Sequence, residues 1–206
     1  MYKRQTINTE PLRILDIFET RIKELPEVRA TKARGYRLAK DRALSLGAGL
    51  LLNQALRESG IDPVTAEFDT TEGKKPRLTK HPDFHFSISH SEAFAILGVG
   101  DAPVGVDIEK ISPVPLDIAR QYFFKGEYTY LMALPEAQRT LGFYRLWTLK
   151  ESFMKAVGLG FQLPLNQFEI IMTAPIQVKQ QVNRHDYAFT EYQTLPDYCI
   201  SSCEQL

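Results

Sequence analysis

Four groups of residues in this 206-residue chain have types and spacings suited to chemistry on charged groups. The first is Asp107 and Glu109, at i and i+2 in Val104-Gly-Val-Asp-Ile-Glu109, a segment that alternates apolar and polar. On a strand that spacing projects both carboxylates from one face and turns Val106 and Ile108 toward a core. Two close carboxylates repel each other unless a proton or a cation lies between them, and a hard divalent ion such as Mg²⁺ suits such oxygen donors. An exposed acidic edge of a half-buried strand reads the same way. The second group is Trp147, Glu151 and Lys155, at i, i+4 and i+8 beside the apolar stripe Leu146, Leu149, Phe153 and Val157. It is either a functional helix face or an ordinary solvated ion pair with a core aromatic.

The third group is Ser89-His90, at the end of an alternating segment from Phe84 to His90. Adjacent strand residues face opposite ways, so the two cannot readily act as nucleophile and base on each other, and the chain has no G-x-S-x-G elbow. A phosphate contact and a turn histidine both remain open. The fourth group is basic: Arg29, Lys32, Arg34, Arg37 and Arg42, then Lys74, Lys75 and Arg77. It can neutralise a polyphosphate or solvate a helix face. With no Walker A or G-x-G-x-x-G pattern, a phosphate site here would be built from side chains.

The elements that must carry these residues follow from periodicity. Leu12 to Leu25 reads as a helix interrupted by Pro26. Residues 28–58 read as a longer helical stretch, basic then apolar, stopping near Gly60. Residues 71–77 are a loop by composition, and three strands follow at 84–90, 93–99 and 104–109. A helical segment at 116–134 breaks near Phe124-Lys-Gly126. A helix at 136–157 ends at Gly158, and strands follow at 167–172, 186–193 and 197–202. Each half is helix-rich first and strand-rich second. This order predicts an α+β fold of two similar lobes, a pseudo-dimer within one chain, each lobe a small antiparallel sheet packed against helices. The boundary is expected near Gly100 to Pro103, giving lobes 1–101 and 102–206.

Composition excludes other classes. Lys+Arg 25 against Asp+Glu 25 leaves no net charge, so nothing pulls the whole chain toward nucleic acid or an anionic membrane. The longest uncharged run, Ala43 to Leu56, is 14 residues and contains Asn53 and Gln54. A bilayer span needs about 20 apolar residues. The first residues lack the apolar segment of a signal peptide, and two cysteines make neither a disulfide framework nor a zinc site. A cytoplasmic protein is the expectation.

Taken in order, Gly73-Lys-Lys-Pro76, Phe86-Ser-Ile-Ser-His-Ser91, Val104-Gly-Val-Asp-Ile-Glu109 and Trp147-Thr-Leu-Lys-Glu-Ser-Phe-Met-Lys155 resemble the motif series of the 4'-phosphopantetheinyl transferases. Length and element order are similar to the larger single-chain type, the surfactin-synthetase-activating enzymes. The motifs cover residues 73–160, and Arg42 to Leu52 extends a weaker similarity toward the N-terminus.

The resemblance implies transfer of the 4'-phosphopantetheine arm of coenzyme A to a serine of an apo acyl or peptidyl carrier protein, with adenosine 3',5'-bisphosphate released. It implies Asp107, Glu109 and Glu151 as Mg²⁺ ligands. Glu151 would be the base, directly or through a metal-bound water, with Lys155 on the phosphate charge and Asp107 among the catalytic residues. It places Lys75, Pro76, Ser89 and His90 against coenzyme A, with Arg29, Lys32 and Arg42 toward its 3'-phosphate end. Coenzyme A would lie between the two lobes, and a chain holding both can act as a monomer. Tyr122, Phe123, Phe124 and Tyr128 are either a carrier-docking patch or plain core. The rival activities are another Mg²⁺-dependent phosphotransferase or nuclease, and a non-catalytic carrier-binding protein.

Overall fold

In a computed structural model, residues 3–69 and 75–206 are described. The chain divides into two compact units: Met1–Asp69 with Pro76–Asp101, and Thr70–Lys75 with Ala102–Leu206.

In the first unit, β1 (Lys3–Asn8) leads into a 3-10 turn at Pro11–Arg13, then α1 (Leu15–Arg21), a 3-10 turn at Ile22–Glu24, α2 (Glu27–Arg34) and α3 (Ala39–Glu58). Short strands β2 (Phe68–Asp69) and β3 (Arg77–Leu78) pair with each other. The hairpin β4 (His85–Ser91) and β5 (Phe94–Gly100) completes the unit. The main sheet is antiparallel in the order β1-β5-β4, with Thr6 opposite Ile96 and Ile88 opposite Leu97. Helix α3 buries Leu46, Leu50, Leu51, Leu52 and Leu56. That apolar stripe holds it against β5 and β1.

The second unit opens with β6 (Val104–Lys110), then α4 (Asp117–Tyr122), α5 (Lys125–Ala133) and the long α6 (Glu136–Val157). After it come β7 (Glu169–Ile171), β8 (Gln177–Lys179), β9 (Tyr187–Tyr192) and β10 (Tyr198–Gln205). Its main sheet is also three-stranded and antiparallel, in the order β6-β10-β9, and α6 packs on β6 and β10. Leu146, Leu149 and Phe153 of α6 are fully buried in a core that includes Phe143, Phe168 and Tyr187. Gly158 ends the helix in the left-handed conformation at φ 84°, which glycine adopts without steric penalty. Both units are therefore a long helix on a three-stranded antiparallel sheet. No helix among the described residues is long and apolar enough to cross a membrane.

Two expectations need correction, and one strand had not been expected. The helix read over Leu12 to Leu25 is a helix of Leu15–Arg21 flanked by two 3-10 turns. The stretch read over 28–58 is two helices, broken at 35–38, where Leu38 takes an extended backbone and α3 restarts. The strand Lys3–Asn8 carried no readable pattern, because Ile7 is its one aliphatic residue. It is placed by ladder hydrogen bonds to β5 at the sheet edge.

Candidate active site

The chemistry-bearing residues of the second unit gather where β6 lies under α6. Gly105 makes the approach possible. A Cβ at this position would sit 1.8 Å from the backbone oxygen of Ser152 and 2.6 Å from the nitrogen of Ala156. Strand and helix backbones thus touch, and side chains two residues along β6 reach across to α6. Alternation places Val104, Val106 and Ile108 on one face, all fully buried, and Gly105, Asp107 and Glu109 on the face toward α6. Pairing with β10 fixes the register, with Asp107 opposite Ser201 and Glu109 opposite Cys199.

Asp107 is buried, and its Oδ1 accepts a 2.6 Å hydrogen bond from Lys155 Nζ. The same ammonium donates to the carbonyl oxygen of Val106 at 3.2 Å. Glu151 lies one turn before Lys155 on the same helix face and is also buried. Burial pushes its carboxyl pKa above the ordinary carboxylate range. The negative charge of Asp107 pushes it further, and Lys155 opposes both. The ordinary solvated pair between Glu151 and Lys155 is not what forms, since the lysine turns to the strand. At the start of β6, Lys75 Nζ donates to the carbonyl oxygen of Val104 at 2.5 Å.

Lys150, next in sequence to Glu151, points elsewhere. It is fully buried and ion-paired with the fully buried Glu127 of α5 at 2.5 Å. Trp147 stacks in an aromatic group with Phe143 at 5.8 Å and Phe123 at 6.3 Å. Phe123 and Tyr128 belong to the core, whereas Tyr122 and Phe124 are exposed, which divides the aromatic patch read from the sequence.

The remaining sequence candidates lie in the first unit. The Arg29 guanidinium stands 4.6 Å over the ring of Phe68, and burial lowers its pKa. Lys32 and Pro76 are exposed and Arg42 is half-buried. Ser89 is buried on β4 opposite Ile96, while His90 is exposed opposite Ala95, so the two face opposite sides of the sheet. Gly73 and Lys74 lie outside the described residues.

Asp107, Glu109 and Glu151, the three carboxylates that the resemblance implies as metal ligands, all lie on β6 and α6, which pack on each other. Among the described residues no three acidic, histidine or cysteine side chains stand as a metal-holding group. Asp107 is turned to Lys155, while Glu109 sits farther along β6 and is only half-buried. The donors present do fit a metal ion. Glu151 Oε1 is buried with no hydrogen-bond partner among the described residues, and its carboxylate faces the charge of Asp107. Mg²⁺ is commonly held by one or two carboxylates and completed by substrate phosphate oxygens and water. Asp107 and Glu151 suit that mode, with Glu109 beside them on the same strand face.

Sequence reasoning overlooked two residues here. Gly105 was readable as the small residue inside an otherwise branched strand, the usual mark of close backbone approach. Glu127 had no signal beyond its place as the third residue of a helix.

Comparison with known proteins shows the family. The family model for the 4'-phosphopantetheinyl transferase superfamily matches residues 103–203, which hold all of these second-unit residues except Lys75. The chain is 35% identical over 180 residues to the 4'-phosphopantetheinyl transferase Sfp of Bacillus subtilis (strain 168), covering 86% of this chain and 80% of that one. It is 32% identical over 180 residues to the 4'-phosphopantetheinyl transferase psf-1 of Bacillus pumilus, covering 86% and 77%. A solved holo-(acyl-carrier-protein) synthase from Bacillus anthracis, in complex with CoA (3',5'-ADP), superposes with a TM-score of 0.43 at 14% identity, over 50% of this chain and 95% of that one. The chain belongs to the 4'-phosphopantetheinyl transferase superfamily and is an enzyme of that class.

Proposed function

We propose that this chain moves the 4'-phosphopantetheine arm of coenzyme A onto a serine hydroxyl of an apo acyl or peptidyl carrier protein. The reaction is Mg²⁺-dependent, releases adenosine 3',5'-bisphosphate, and is carried out by a cytoplasmic monomer. The observation that carries this reading is the group of buried Asp107, buried Glu151 and half-buried Lys155 on the touching backbones of β6 and α6.

In the reaction the serine oxygen bonds to the phosphorus that bears the pantetheine arm. The bond from that phosphorus to the bridging oxygen breaks, and its electron pair leaves with the bisphosphate. Asp107 and Glu151, with Glu109, would hold Mg²⁺, whose chemistry is to neutralise the pyrophosphate charge. Glu151 accepts the serine proton, a task suited to a buried carboxylate with one oxygen clear of hydrogen-bond donors. Lys155 brings a fixed positive charge to the phosphate and can return a proton to the leaving oxygen. Lys75, with Pro76, Ser89 and His90, binds the coenzyme A phosphates, and Arg29, Lys32 and Arg42 serve its 3'-phosphate end.

The test is mass spectrometry of an apo carrier protein incubated with the enzyme, coenzyme A and Mg²⁺. The expected result is a carrier heavier by one phosphopantetheine, and no gain once the metal is chelated. Unchanged mass across several carriers, under conditions where a known transferase works, would overturn the reading. Turnover of other phosphate substrates without coenzyme A would favour a general phosphotransferase.

A further inference from the structure

The proposed reaction has no task for the one lysine of the Trp147–Lys155 segment that is fully buried. Lys150 Nζ donates to Glu127 Oε1 at 2.5 Å and to the carbonyl oxygen of Phe168 at 2.9 Å, and it stands 4.0 Å over the Phe168 ring. Glu127 in turn gathers donors from three elements. Its Oε1 also accepts from the Ile170 N–H of β7 at 2.7 Å, and its Oε2 accepts from the Phe124 N–H at the start of α5 at 2.9 Å. One carboxylate therefore ties α5, β7 and α6 together, and it meets α6 at the residue immediately before Glu151.

Stability alone is a poor account of this arrangement. Both charged groups are fully buried, so each gives up its hydration and has only its protein partners in return. Replacing such a pair by apolar residues of similar volume is often neutral or stabilising. Substrate binding is excluded too, since both side chains have no exposed surface. What the pair does fix is the roll of α6. Successive residues on a helix are about 100° apart, so anchoring Lys150 sets the direction of Glu151, and of Lys155 beyond it.

We infer that the Glu127–Lys150 pair is a positioning device for the reaction, holding α6 at the roll angle that aims Glu151 at Asp107. The leverage is short. Side-chain tips lie about 5–6 Å from the helix axis, so a roll of about 10° moves the Glu151 carboxylate by about 1 Å. A displacement of that size can lower a rate about 100-fold. The inference rests on the transferase reading above, through the role given to Glu151.

The test replaces both partners together, Glu127→Leu with Lys150→Met, and follows carrier modification by mass spectrometry beside the unsubstituted chain. The expected result is native circular dichroism, an undiminished Tm, an unchanged KM for coenzyme A, and kcat lower by about 100-fold. A folded double variant with kcat within about threefold of the unsubstituted chain would overturn the inference. Glu127→Gln guards against a double variant that fails to fold, because it keeps the side-chain length while removing the charge that anchors Lys150 and one of the two oxygens that accept from the Ile170 and Phe124 N–H groups. It is expected to lose about 10-fold in kcat with KM for coenzyme A unchanged, and an unchanged kcat, or equal changes in both constants, would likewise overturn the inference. If the unsubstituted chain itself leaves the carrier unmodified, the transferase reading fails instead, a result separate from any ratio between variants.

Discussion

The two units set a long helix on a three-stranded antiparallel sheet in the same way, yet they fill the contact differently. In the first, α3 meets its sheet through leucines and alanines, and the buried polar residues are the neutral Thr9, Asn53, Ser87 and Ser89. In the second, Asp107, Glu127, Lys150 and Glu151 are all buried, and no other charged residue among the described ones is. The same layer architecture thus serves once as plain apolar packing and once as a holder of four charges. Apolar burial gives the first its strength. The second tolerates its charges because most are paired: Lys150 with Glu127, and Lys155 with Asp107. Glu151 is the exception, a buried carboxylate with an oxygen that accepts from no donor among the described residues, and functional sites are where such perturbed groups collect.

If the charged contact is the working one, its residues should separate turnover from binding. Asp107→Ala and Glu151→Ala are each expected to lower kcat by about 10³-fold while calorimetric coenzyme A affinity falls far less. Equal losses in both would make these carboxylates structural and erase the contrast between units.

A second comparison uses glycine in each unit. Gly105→Ala forces a Cβ onto helix backbone, and should lower stability by about 1–3 kcal/mol, read as a drop in denaturation midpoint, with turnover falling alongside. In Gly49→Ala of α3 the atoms nearest to the new Cβ belong to the Leu25 side chain, at 2.8 Å, which can shift where backbone cannot. A loss in the Gly49 variant as large as that at Gly105 would show that the first contact is just as tight.

The thiols report on the second unit alone, since the chain's two cysteines are Cys199 and Cys203 of β10. Burial, then the charge of Glu191, pushes the Cys199 thiol from its ordinary 9.0 up to about 12, and burial raises Cys203 well above the same value. A folded-state pKa above the unfolded one means the neutral thiol's contribution to stability is intact below about pH 9 and lost as pH rises toward about 12. Denaturation midpoints should therefore fall across that window, and 5,5'-dithiobis(2-nitrobenzoate) at pH 8 should label native chains only as fast as this unit opens. Immediate labelling of both thiols would contradict their burial.

The smallest effect belongs to the first unit. Arg29→Ala removes the guanidinium from the Phe68 ring and is expected to destabilise by about 0.5–1 kcal/mol. Its proposed place at the 3'-phosphate end of coenzyme A predicts a rise in KM for coenzyme A as well, and an unchanged KM would leave Arg29 with the packing role alone.

Much of this was legible in the sequence where periodicity is strong. Helix Glu136–Val157 and its stop at Gly158 were read at their observed bounds, because the apolar stripe is regular and glycine marks the end. The α4–α5 break near Phe124 was equally visible. Strand β1 was not, because a polar edge strand is defined by the ladder it joins. Position pairs across the fold were harder still. The spacing of Glu151 and Lys155 left open either an ion pair between them or a functional helix face, and it gave no sign that Lys155 bonds to Asp107, 48 residues earlier in the chain. Glu127 and Lys150, 23 residues apart, share no pattern at all.

The hydrogen bond from Lys155 to Asp107 changes what arrival of an anion means. The ammonium is already spoken for at rest, so the phosphate of the proposed reaction would enter by exchange, taking over a bond that the strand carboxylate held. Its net gain is the difference between two similar attractions. Were the lysine to turn away, the charge of Asp107 would be left uncompensated at the moment when, on the proposed reading, a cation is to be held there.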